Sequence, residues 1–338
     1  MHIEDFCGSH LKMARQIMKE NYDMERRQIP ELPEMAELPE LEYFAGAGLG
    51  VAAVEGEELI GYLCAYAPRD DAFGTTNVRG TFVPVHAHGV AGPITGRDRE
   101  RIYSRMYQAA AEKWVRLGIR SHAIALYTHD AAAEKSFFYN GFGLRCIDLI
   151  RSLDSIPSSQ ETPFDMAGVL EYVELLRDEW ILLTELNNGL IRHLCDSPTF
   201  MYFPVTDAKE LYQRAGEDTR YFAVKHQGRL AAYVKLADDG ENFITESMDM
   251  INICGAYCEP EYRGSGIYHN LLCHVMRTVK EEGYQRLGVD CESFNPNALG
   301  FWTKYFTEYT HGMVRRIDEK AVEEAVGREA VRNKEDVN

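Results

Sequence analysis

The sequence predicts an α/β protein built from two tandem domains. Three observations support this: a length of 338 residues, an order of strands and helices that occurs twice, and a Ser- and Pro-rich segment between the two copies. A chain of this length exceeds one ordinary domain and lets each of two domains bury its own core. Residues 151–163 mark the boundary, because clusters of Ser and Pro interrupt periodic structure.

The first copy opens with a predicted β-hairpin. Two apolar runs in residues 50–67 flank an acidic turn at 55–58, which is typical of paired strands. Apolar residues then recur at helical spacing up to Leu117, and Gly118 ends that helix. The further elements predicted for this copy are a strand at 79–90, a helix at 99–117, a strand at 121–127 and a helix at 131–139.

The second copy repeats this order. Its long helix shows Ile267, Leu271, Val275 and Val279 on one face, and Gly283 closes it. The elements predicted for this copy are a strand pair at 221–237, a strand at 249–258, a helix at 266–282, a strand at 286–293 and a helix at 297–305. Similarity in the order of elements indicates an internal duplication of the fold.

These patterns predict domain boundaries. We expect an N-terminal domain at 1–155, a linker at 156–163, a C-terminal domain at 164–320 and a charged tail at 321–338. Within the second domain, residues 164–203 read as helices that cover the sheet, since Trp180, Leu183, Leu186 and Leu190 are apolar there.

Charge and cysteine content restrict the class of ligand and the compartment. The formal net charge of −17 disfavours nucleic acid and anionic membranes as partners, and favours amine-bearing ligands. The eight cysteines show no repeated CxxC spacing, so we expect reduced thiols and no metal. The sequence shows no leader peptide and no apolar run long enough to span a bilayer. We therefore predict a cytoplasmic protein.

A glycine-containing loop lies between a strand and a helix of the second copy. The strand leads into Cys258-Glu259-Pro260-Glu261-Tyr262-Arg263-Gly264-Ser265-Gly266, and a helix starts at once. Glycines allow a tight turn in which successive N–H groups point to one place at the helix start, and such a place suits a phosphate group. This loop is the first candidate site.

The loop resembles that of the GNAT acetyltransferase superfamily, usually written V-x-P-x-x-R-G-x-G-[IL]-G/A. Downstream, Asn295-Pro296-Asn297-Ala298-Leu299-Gly300-Phe301-Trp302 is similar to the family's N-x-x-A-x-x-F-Y. The two motifs stand in the family's order and spacing. The resemblance implies two GNAT-like domains, each a mixed, largely antiparallel central sheet flanked by helices.

The resemblance also implies how the cofactor binds. Backbone amides of the loop and first helical turn would hold the pyrophosphate of acetyl-CoA, and the preceding strand would hold the pantetheine and polarise the thioester carbonyl. Asn295 matches the family's pantetheine-contacting Asn. The residues implied to bind cofactor are Ala256, Tyr257, Cys258, Arg263, Gly264, Ser265, Gly266, Ile267, Tyr268 and Asn295.

Two positions depart from the family pattern. Tyr268 replaces a small residue at the end of the loop, and Trp302 stands where many members have a Tyr that protonates the leaving thiolate. Acyl transfer to an amine needs a proton acceptor and a proton donor. The candidate acceptors are Glu246, Asp249, Glu259 and Glu292 at strand ends. The candidate donors are Tyr305 and Tyr257, of which we favour Tyr305.

The first copy departs further from the family. Gly96-Arg97-Asp98-Arg99-Glu100-Arg101-Ile102-Tyr103 replaces the glycine loop, and Asp130 stands where the family has Asn. We expect a retained fold with weakened or lost cofactor binding, although Arg97, Arg99 and Arg101 leave open a charge-based phosphate site. His86 and His88 share a strand face that could hold a metal, but no third ligand is evident.

The sequence thus predicts an acyl-CoA-dependent N-acyltransferase whose C-terminal domain binds acetyl-CoA as cosubstrate and acetylates a primary amine. The acceptor is a small molecule or a peptide, and neither its identity nor the oligomeric state is readable. The N-terminal domain would brace the second domain. The alternative, prompted by Tyr268 and Trp302, is a non-catalytic CoA-binding regulatory or scaffold protein.

Overall fold

A computed structural model describes residues 1–35, 37–71, 78–163, 170–238, 240 and 242–335. The chain divides into two compact units, Met1–Asp148 with Glu308–Asn338, and Leu149–Thr307. The predicted linker at 156–163 lies in the second unit, and the boundary at 164 falls outside the described residues. The predicted boundary at 320 falls within a segment that belongs to the first unit.

The N-terminal part of the first unit contains a four-stranded antiparallel sheet of order β1-β2-β3-β5, and a parallel pair of β4 and β6. The strands are β1 (His2–Asp5), β2 (Val51–Glu55), β3 (Glu58–Leu63), β4 (Gly80–Val83), β5 (His88–Val90), β6 (Ser121–Tyr127) and β7 (Gly143–Ser152), which runs across the boundary between the units. The helices are α1 (Leu11–Gln28), α2 (Glu42–Ala47), α3 (Gly96–Arg116) and α4 (Ala131–Tyr139).

One predicted strand of this unit is two strands. The prediction placed a single strand at 79–90, but the structure interrupts it between Val83 and His88. Pro84 lies at the interruption, and a proline has no N–H to donate to a ladder. The backbone turns there, with the N–H of Ala87 donating to the carbonyl of Pro84 at 2.8 Å. The two halves consequently join different sheets.

The second unit contains a five-stranded run of order β12-β11-β10-β9-β8, in which only β11 and β12 pair in parallel. Its strands are β8 (Leu170–Glu174), β9 (Arg220–His226), β10 (Arg229–Ala237), β11 (Met250–Cys258) and β12 (Arg286–Glu292). Its helices are α5 (Thr184–Cys195), α6 (Ala208–Arg214), α7 (Ile267–Glu281) and α8 (Pro296–Trp302). The predicted largely antiparallel sheets flanked by helices are confirmed in both units.

The long helix α7 covers the sheet of the second unit as its periodicity predicts. Ile267, Leu271, Val275 and Val279 are fully buried. The segment 164–203, predicted as helical, contains α5 but also the edge strand β8, and residues 164–169 lie outside the described residues. Leu170–Glu174 lacks a buried residue because an edge strand covers the sheet only partly, so its apolar signal is weak.

The first unit is completed by the end of the chain. Strand β13 (Thr307–Arg316) pairs antiparallel with β6 from Thr310 to Arg316, and Met313 lies in the core cluster around α3. Helix α9 (Glu319–Glu335) packs against α3 and buries Val322. The predicted charged tail is therefore mostly a helix. No helix among the described residues is long and apolar enough to cross a membrane.

The participation of β13 in the first unit gives a testable consequence. A chain that ends at Thr307 should expose amides of β6 to rapid hydrogen exchange, because it lacks the strand that pairs with residues 121–127. A matched chain that ends at Asp318 keeps β13 and should protect β6. Equal protection of β6 in both chains would contradict the assignment of β13 to this unit.

Candidate acetyl-CoA site

The second unit contains a cavity of about 690 Å³ between the end of β11, the start of α7 and helix α8. This volume is within the range of small-molecule and cofactor sites. The cavity forms where two strands separate. Parallel pairing of β11 with β12 extends only from Met250–Arg286 to Ile253–Val289, while β11 stays paired with β10 as far as Cys258. The backbone of β11 beyond Ile253 therefore has no β12 partner on this side.

The start of α7 forms one wall of the cavity. Gly264 and Gly266 both have positive φ, at +72° and +88°, a conformation that side-chain-bearing residues adopt only with strain. Among the described residues, no side chain caps the N-terminus of α7. Its first N–H groups and the positive end of the helix dipole are thus available to an anion.

Most residues predicted to bind cofactor meet in this cavity. Those that line it are Ala256, Tyr257, Cys258, Arg263, Gly264, Gly266, Tyr268 and Asn295. Two do not line it. The hydroxyl of Ser265 turns back to donate to the carbonyl of Tyr262 at 2.6 Å, and Ile267 is fully buried in the core. Their backbone N–H groups remain part of the helix start.

Arg263 and Asn295 are each held by local hydrogen bonds. The Nε of Arg263 donates to the carbonyl of Cys258 at 2.9 Å, and its guanidinium lies 5.4 Å from the ring centre of Tyr257. The side-chain oxygen of Asn295 accepts from the N–H of Ala298 at 3.3 Å and so caps α8. Asn295 is also 3.3 Å from Nε2 of His193. Both side chains are therefore positioned before any ligand binds.

Tyr268 and Trp302, the two departures from the family motif, form an aromatic floor. The ring of Tyr268 packs edge-on against Phe301 at 5.0 Å and Trp302 at 6.2 Å. Its hydroxyl points to the carbonyl of Tyr233 at 3.5 Å, and burial holds the pKa of Tyr268 well above its ordinary value. Tyr268 therefore lies below the glycine turn rather than across it, and acts as an apolar surface.

Tyr305 brings a hydroxyl into the cavity. Its oxygen lies 2.8 Å from Nδ1 of His269, and its ring packs against Phe301 at 5.1 Å. Burial raises the pKa of Tyr305, with a further contribution from Cys273 and an opposing one from Arg151. The hydroxyl is thus protonated at neutral pH. Tyr257 also lines the cavity, and burial together with Glu259 raises its pKa.

None of the carboxylates predicted as proton acceptors lines the cavity with Tyr257 and Tyr305. Asp249 pairs with Arg286 and accepts from Ser247 at 2.8 Å, at the start of β11. It is seven residues from Ala256, or about 20 Å along an extended strand. Glu246 precedes it, and neither Glu246, Asp249, Glu259 nor Glu292 lines the cavity. Alternation along the strand predicts a shared face, but it cannot place a residue at the open end of the cleft.

The lining of the cavity is positive. It includes Arg263 and Lys304, and no Asp or Glu is among its lining residues. This suits an anionic ligand despite the acidic composition of the whole chain. Over the part of the chain that the structure describes, no group of three or more His, Cys, Asp or Glu side chains could hold a metal ion.

Comparison with known proteins shows which family the segment around the cavity resembles. The acetyltransferase (GNAT) family model matches residues 188–306, which include α5, the glycine turn and α8. The chain contains a GNAT acetyltransferase domain. No curated protein has a sequence that matches this chain.

Solved structures show the same fold. A GCN5-related N-acetyltransferase from Sphaerobacter thermophilus aligns over 93% of this chain and 95% of its own with a TM-score of 0.57 and 9% identity. The GCN5-related glucosamine N-acetyltransferase region of a fungal multi-domain GH3 β-N-acetylglucosaminidase aligns with a TM-score of 0.52 and 13% identity. That alignment covers 93% of this chain but only 38% of the fungal one. At these identities the likeness shows the fold alone.

Sequence reasoning missed several residues of the GNAT cavity. Gln160 comes from the predicted linker, and Leu190 and His193 come from α5, so each reaches the site through long-range folding. His269 and Lys304 also line it. His269 carried a local signal, because it lies in the first turn of α7 directly after the glycine loop.

At the corresponding place in the first unit, Arg99 lies in the wall of a cavity of about 540 Å³. Its buried guanidinium donates to both oxygens of Asp130, to the carbonyl of Val90 at 2.9 Å and to Asn21 at 2.9 Å. Tyr103 also donates to Asp130, at 2.9 Å. Burial acts to raise the pKa of Asp130, but Arg99 outweighs it and holds the pKa below its ordinary value. Arg99 therefore satisfies internal acceptors instead of binding phosphate.

The other charged candidates of the first unit do not form a second site. Arg97 is exposed, and Arg101 pairs with Asp98 at the surface. His86 and His88, considered as metal ligands, are buried, and burial lowers the pKa of each to about 4. His88 donates from Nε2 to the carbonyl of Ala125 at 2.8 Å. Both rings are core histidines that stay neutral at physiological pH.

The Arg99–Asp130 pair predicts a large stability effect. Asp130→Asn should lower the free energy of unfolding by about 3–5 kcal/mol in urea titrations, because it leaves the buried Arg99 charge without its counterion. Asp98→Asn, which removes an exposed partner of Arg101, should cost about 0–1 kcal/mol.

The same comparison has a predicted pH dependence. Because the folded-state pKa of Asp130 is depressed, the advantage of the wild type over Asp130→Asn is complete above the unfolded pKa of about 3.9 and shrinks as pH falls below it. An advantage that stays constant into acid would mean that the ion pair is not its source.

Proposed function

We propose that this protein is an N-acetyltransferase that transfers the acetyl group of acetyl-CoA to a primary amine, with the cofactor bound in the cavity of the second unit. The observation that carries the proposal is the cavity itself. A separated strand pair, an uncapped helix start with two positive-φ glycines and a positively charged lining meet in one place. The family match over residues 188–306 supports acyl transfer as the chemistry.

The phosphate end of the cofactor would bind at the start of α7. Backbone N–H groups of Gly264 and of Gly266 to Tyr268 offer hydrogen bonds, and the helix dipole adds a favourable field for a pyrophosphate. Arg263 and Lys304 add positive charge at the lining. This arrangement explains how a chain of formal charge −17 can bind an anionic cofactor.

The thioester would lie along the open edge of β11. Beyond Ile253 this strand lacks its β12 partner, so backbone N–H groups that face this edge near Ala256 and Cys258 can donate to a carbonyl oxygen. Donors aimed at an oxygen that gains negative charge during attack lower the barrier to acyl transfer. Asn295 and Tyr257 border the same space and would contact the pantetheine arm.

Tyr305 is the group that favours catalysis over simple binding. Trp302 has no hydroxyl and is buried, so it cannot protonate a thiolate. Tyr305, three residues later, supplies a protonated hydroxyl to the cavity. The alternative, a non-catalytic CoA-binding protein, rested on Tyr268 and Trp302, and the hydroxyl of Tyr305 supplies what Trp302 lacks.

The acceptor is proposed only as a class, a small molecule or peptide that carries a primary amine. The acidic surface favours a cationic acceptor. A cytoplasmic location, expected from the sequence, stays a prediction.

The glycine turn gives a direct test of cofactor binding. Gly264→Asp and Gly266→Asp should abolish measurable acetyl-CoA binding in calorimetry, because each places a carboxylate and a strained backbone at the proposed phosphate site. Gly283→Asp is the matched control. Gly283 has φ of +104° at the other end of α7, so its substitution carries similar strain without touching the cavity. Unchanged affinity in the first two variants would refute the loop assignment.

Catalysis is tested separately from binding. The wild-type protein with acetyl-CoA and a panel of primary amines should release free CoA thiol, measured with a thiol reagent, and Tyr305→Phe should reduce the rate about a hundredfold or more while binding acetyl-CoA as well as the wild type. Tight acetyl-CoA binding without turnover on any amine would instead favour the regulatory or scaffold alternative.

A further inference from the structure

His269 and Tyr305 share a short hydrogen bond at the floor of the cavity, and the predicted carboxylate bases lie elsewhere. The His269 ring is 6% exposed, yet it lines the cavity from the first turn of α7. We propose that these two side chains form a proton shuttle that takes a proton from the acceptor nitrogen and returns it to the departing sulfur. The inference rests on the proposed acetyltransferase function and names the group that performs its proton transfers.

The surroundings of His269 decide which ring nitrogen carries hydrogen. Nε2 lies 2.9 Å from the carbonyl oxygen of Ser158, which can only accept, so Nε2 holds the hydrogen. In the neutral ring Nδ1 is then an acceptor. It lies 2.8 Å from the Tyr305 oxygen, which must donate its O–H to it. The lone pairs of Tyr305 are left free to accept a proton from the cavity.

Ser158 belongs to a segment that is fixed on α7. The N–H and carbonyl of Gln160 bond both ends of the Asn270 amide, at 2.7 and 2.8 Å. The thiol of Cys273, 3.5 Å from Nε2 of His269, donates to the carbonyl of Pro157 at 3.4 Å, which leaves Nε2 to donate to Ser158. The tautomer is therefore fixed by backbone carbonyls that do not titrate.

The shuttle balances every proton of the reaction. The amine nitrogen attacks the thioester carbon, and the new C–N bond makes that nitrogen acidic. Its proton passes to the Tyr305 oxygen while the Tyr305 proton passes to Nδ1 of His269. When the C–S bond breaks and sulfur keeps the electron pair, Tyr305 gives its proton to sulfur and recovers the one on Nδ1. Nitrogen and sulfur are bound to the same carbon at that stage, so one hydroxyl serves both.

Charged and titratable groups surround the two side chains. Arg151, from β7, donates to the main-chain carbonyl of Tyr305 at 2.5 Å, and His269 lies at the positive end of the α7 dipole. Lys304 lines the same cavity, and Cys273 is the titratable neighbour on α7 itself. In the proposed sequence His269 holds the proton only between the two transfers.

The tautomer can be measured without any turnover. Long-range proton–nitrogen correlation spectra of the full-length protein should show His269 protonated at Nε2 with a hydrogen-bonded Nδ1, and Tyr305→Phe should shift the Nδ1 resonance to that of an unbonded nitrogen. Protonation at Nδ1 in the neutral protein would overturn the shuttle, whatever the protein catalyses.

Turnover then tests the chemical role. His269→Gln keeps an acceptor for the Tyr305 hydroxyl but cannot take up a proton, so kcat should fall about a hundredfold with acetyl-CoA affinity unchanged. The wild-type kcat should rise with pH through one ionisation on the acid side, because only neutral His269 accepts a proton. That limb should vanish in His269→Gln. The double variant with Tyr305→Phe should be no slower than the slower single variant, since both act on one path.

A matched control distinguishes this role from a structural one. His274→Gln, on the same helix, changes a ring that packs against Phe222 and Tyr172 outside the cavity and should leave kcat and its pH profile unchanged. Wild-type turnover with the acid limb retained in His269→Gln would overturn the shuttle alone. The shuttle would also be overturned if His269→Gln bound acetyl-CoA so much more weakly that weaker binding alone explained its lower rate. A wild type inactive on every amine would overturn the acetyltransferase proposal and the shuttle with it.

Discussion

The end of pairing between β11 and β12 after Ile253 and Val289 is the constraint on which the candidate site depends. Up to that point the two strands share a regular parallel ladder. Beyond it β11 follows β10 alone, and the opened space is bounded by the starts of α7 and α8. The unpaired strand edge and the uncapped helix start both present N–H donors, so the backbone adds polar groups to those of the lining side chains.

The two units share an order of strands and helices but differ in the side chains at the start of their long helices, α7 and α3. In the second unit, glycines at the α7 start leave the cleft open. In the first, α3 carries Arg99, and its guanidinium bonds Asp130, Val90 and Asn21 inside the unit. An arginine that is buried must find acceptors, and Arg99 finds them in Asp130, Val90 and Asn21. It lies in the wall of a cavity of about 540 Å³, so the first unit keeps an open space in which the arginine is already bonded from within the unit.

The sequence predicted local features well and long-range ones poorly. The glycine turn, the apolar face of α7 and the strands between residues 221 and 293 follow from residues close together in the chain, whereas the edge strand β8 was predicted as helical. The assignment of β13 to the first unit does not, because an apolar strand shows no preference for one sheet over another. Asp249 and Glu246 lie outside the cavity for a related reason, since alternation gives the face of a strand but not the position along it. Gln160 and His193 line the cavity, but neither belongs to a sequence motif that indicates a binding site.

The segment 157–160 lay in what was predicted to be a linker, yet all four of its residues bond to α7, and one carbonyl fixes the hydrogen position on His269. The segment therefore belongs to the second unit and holds the helix that borders the candidate site. An insertion within it would displace groups that bond to α7, so a change outside both sequence motifs would still reach the cavity.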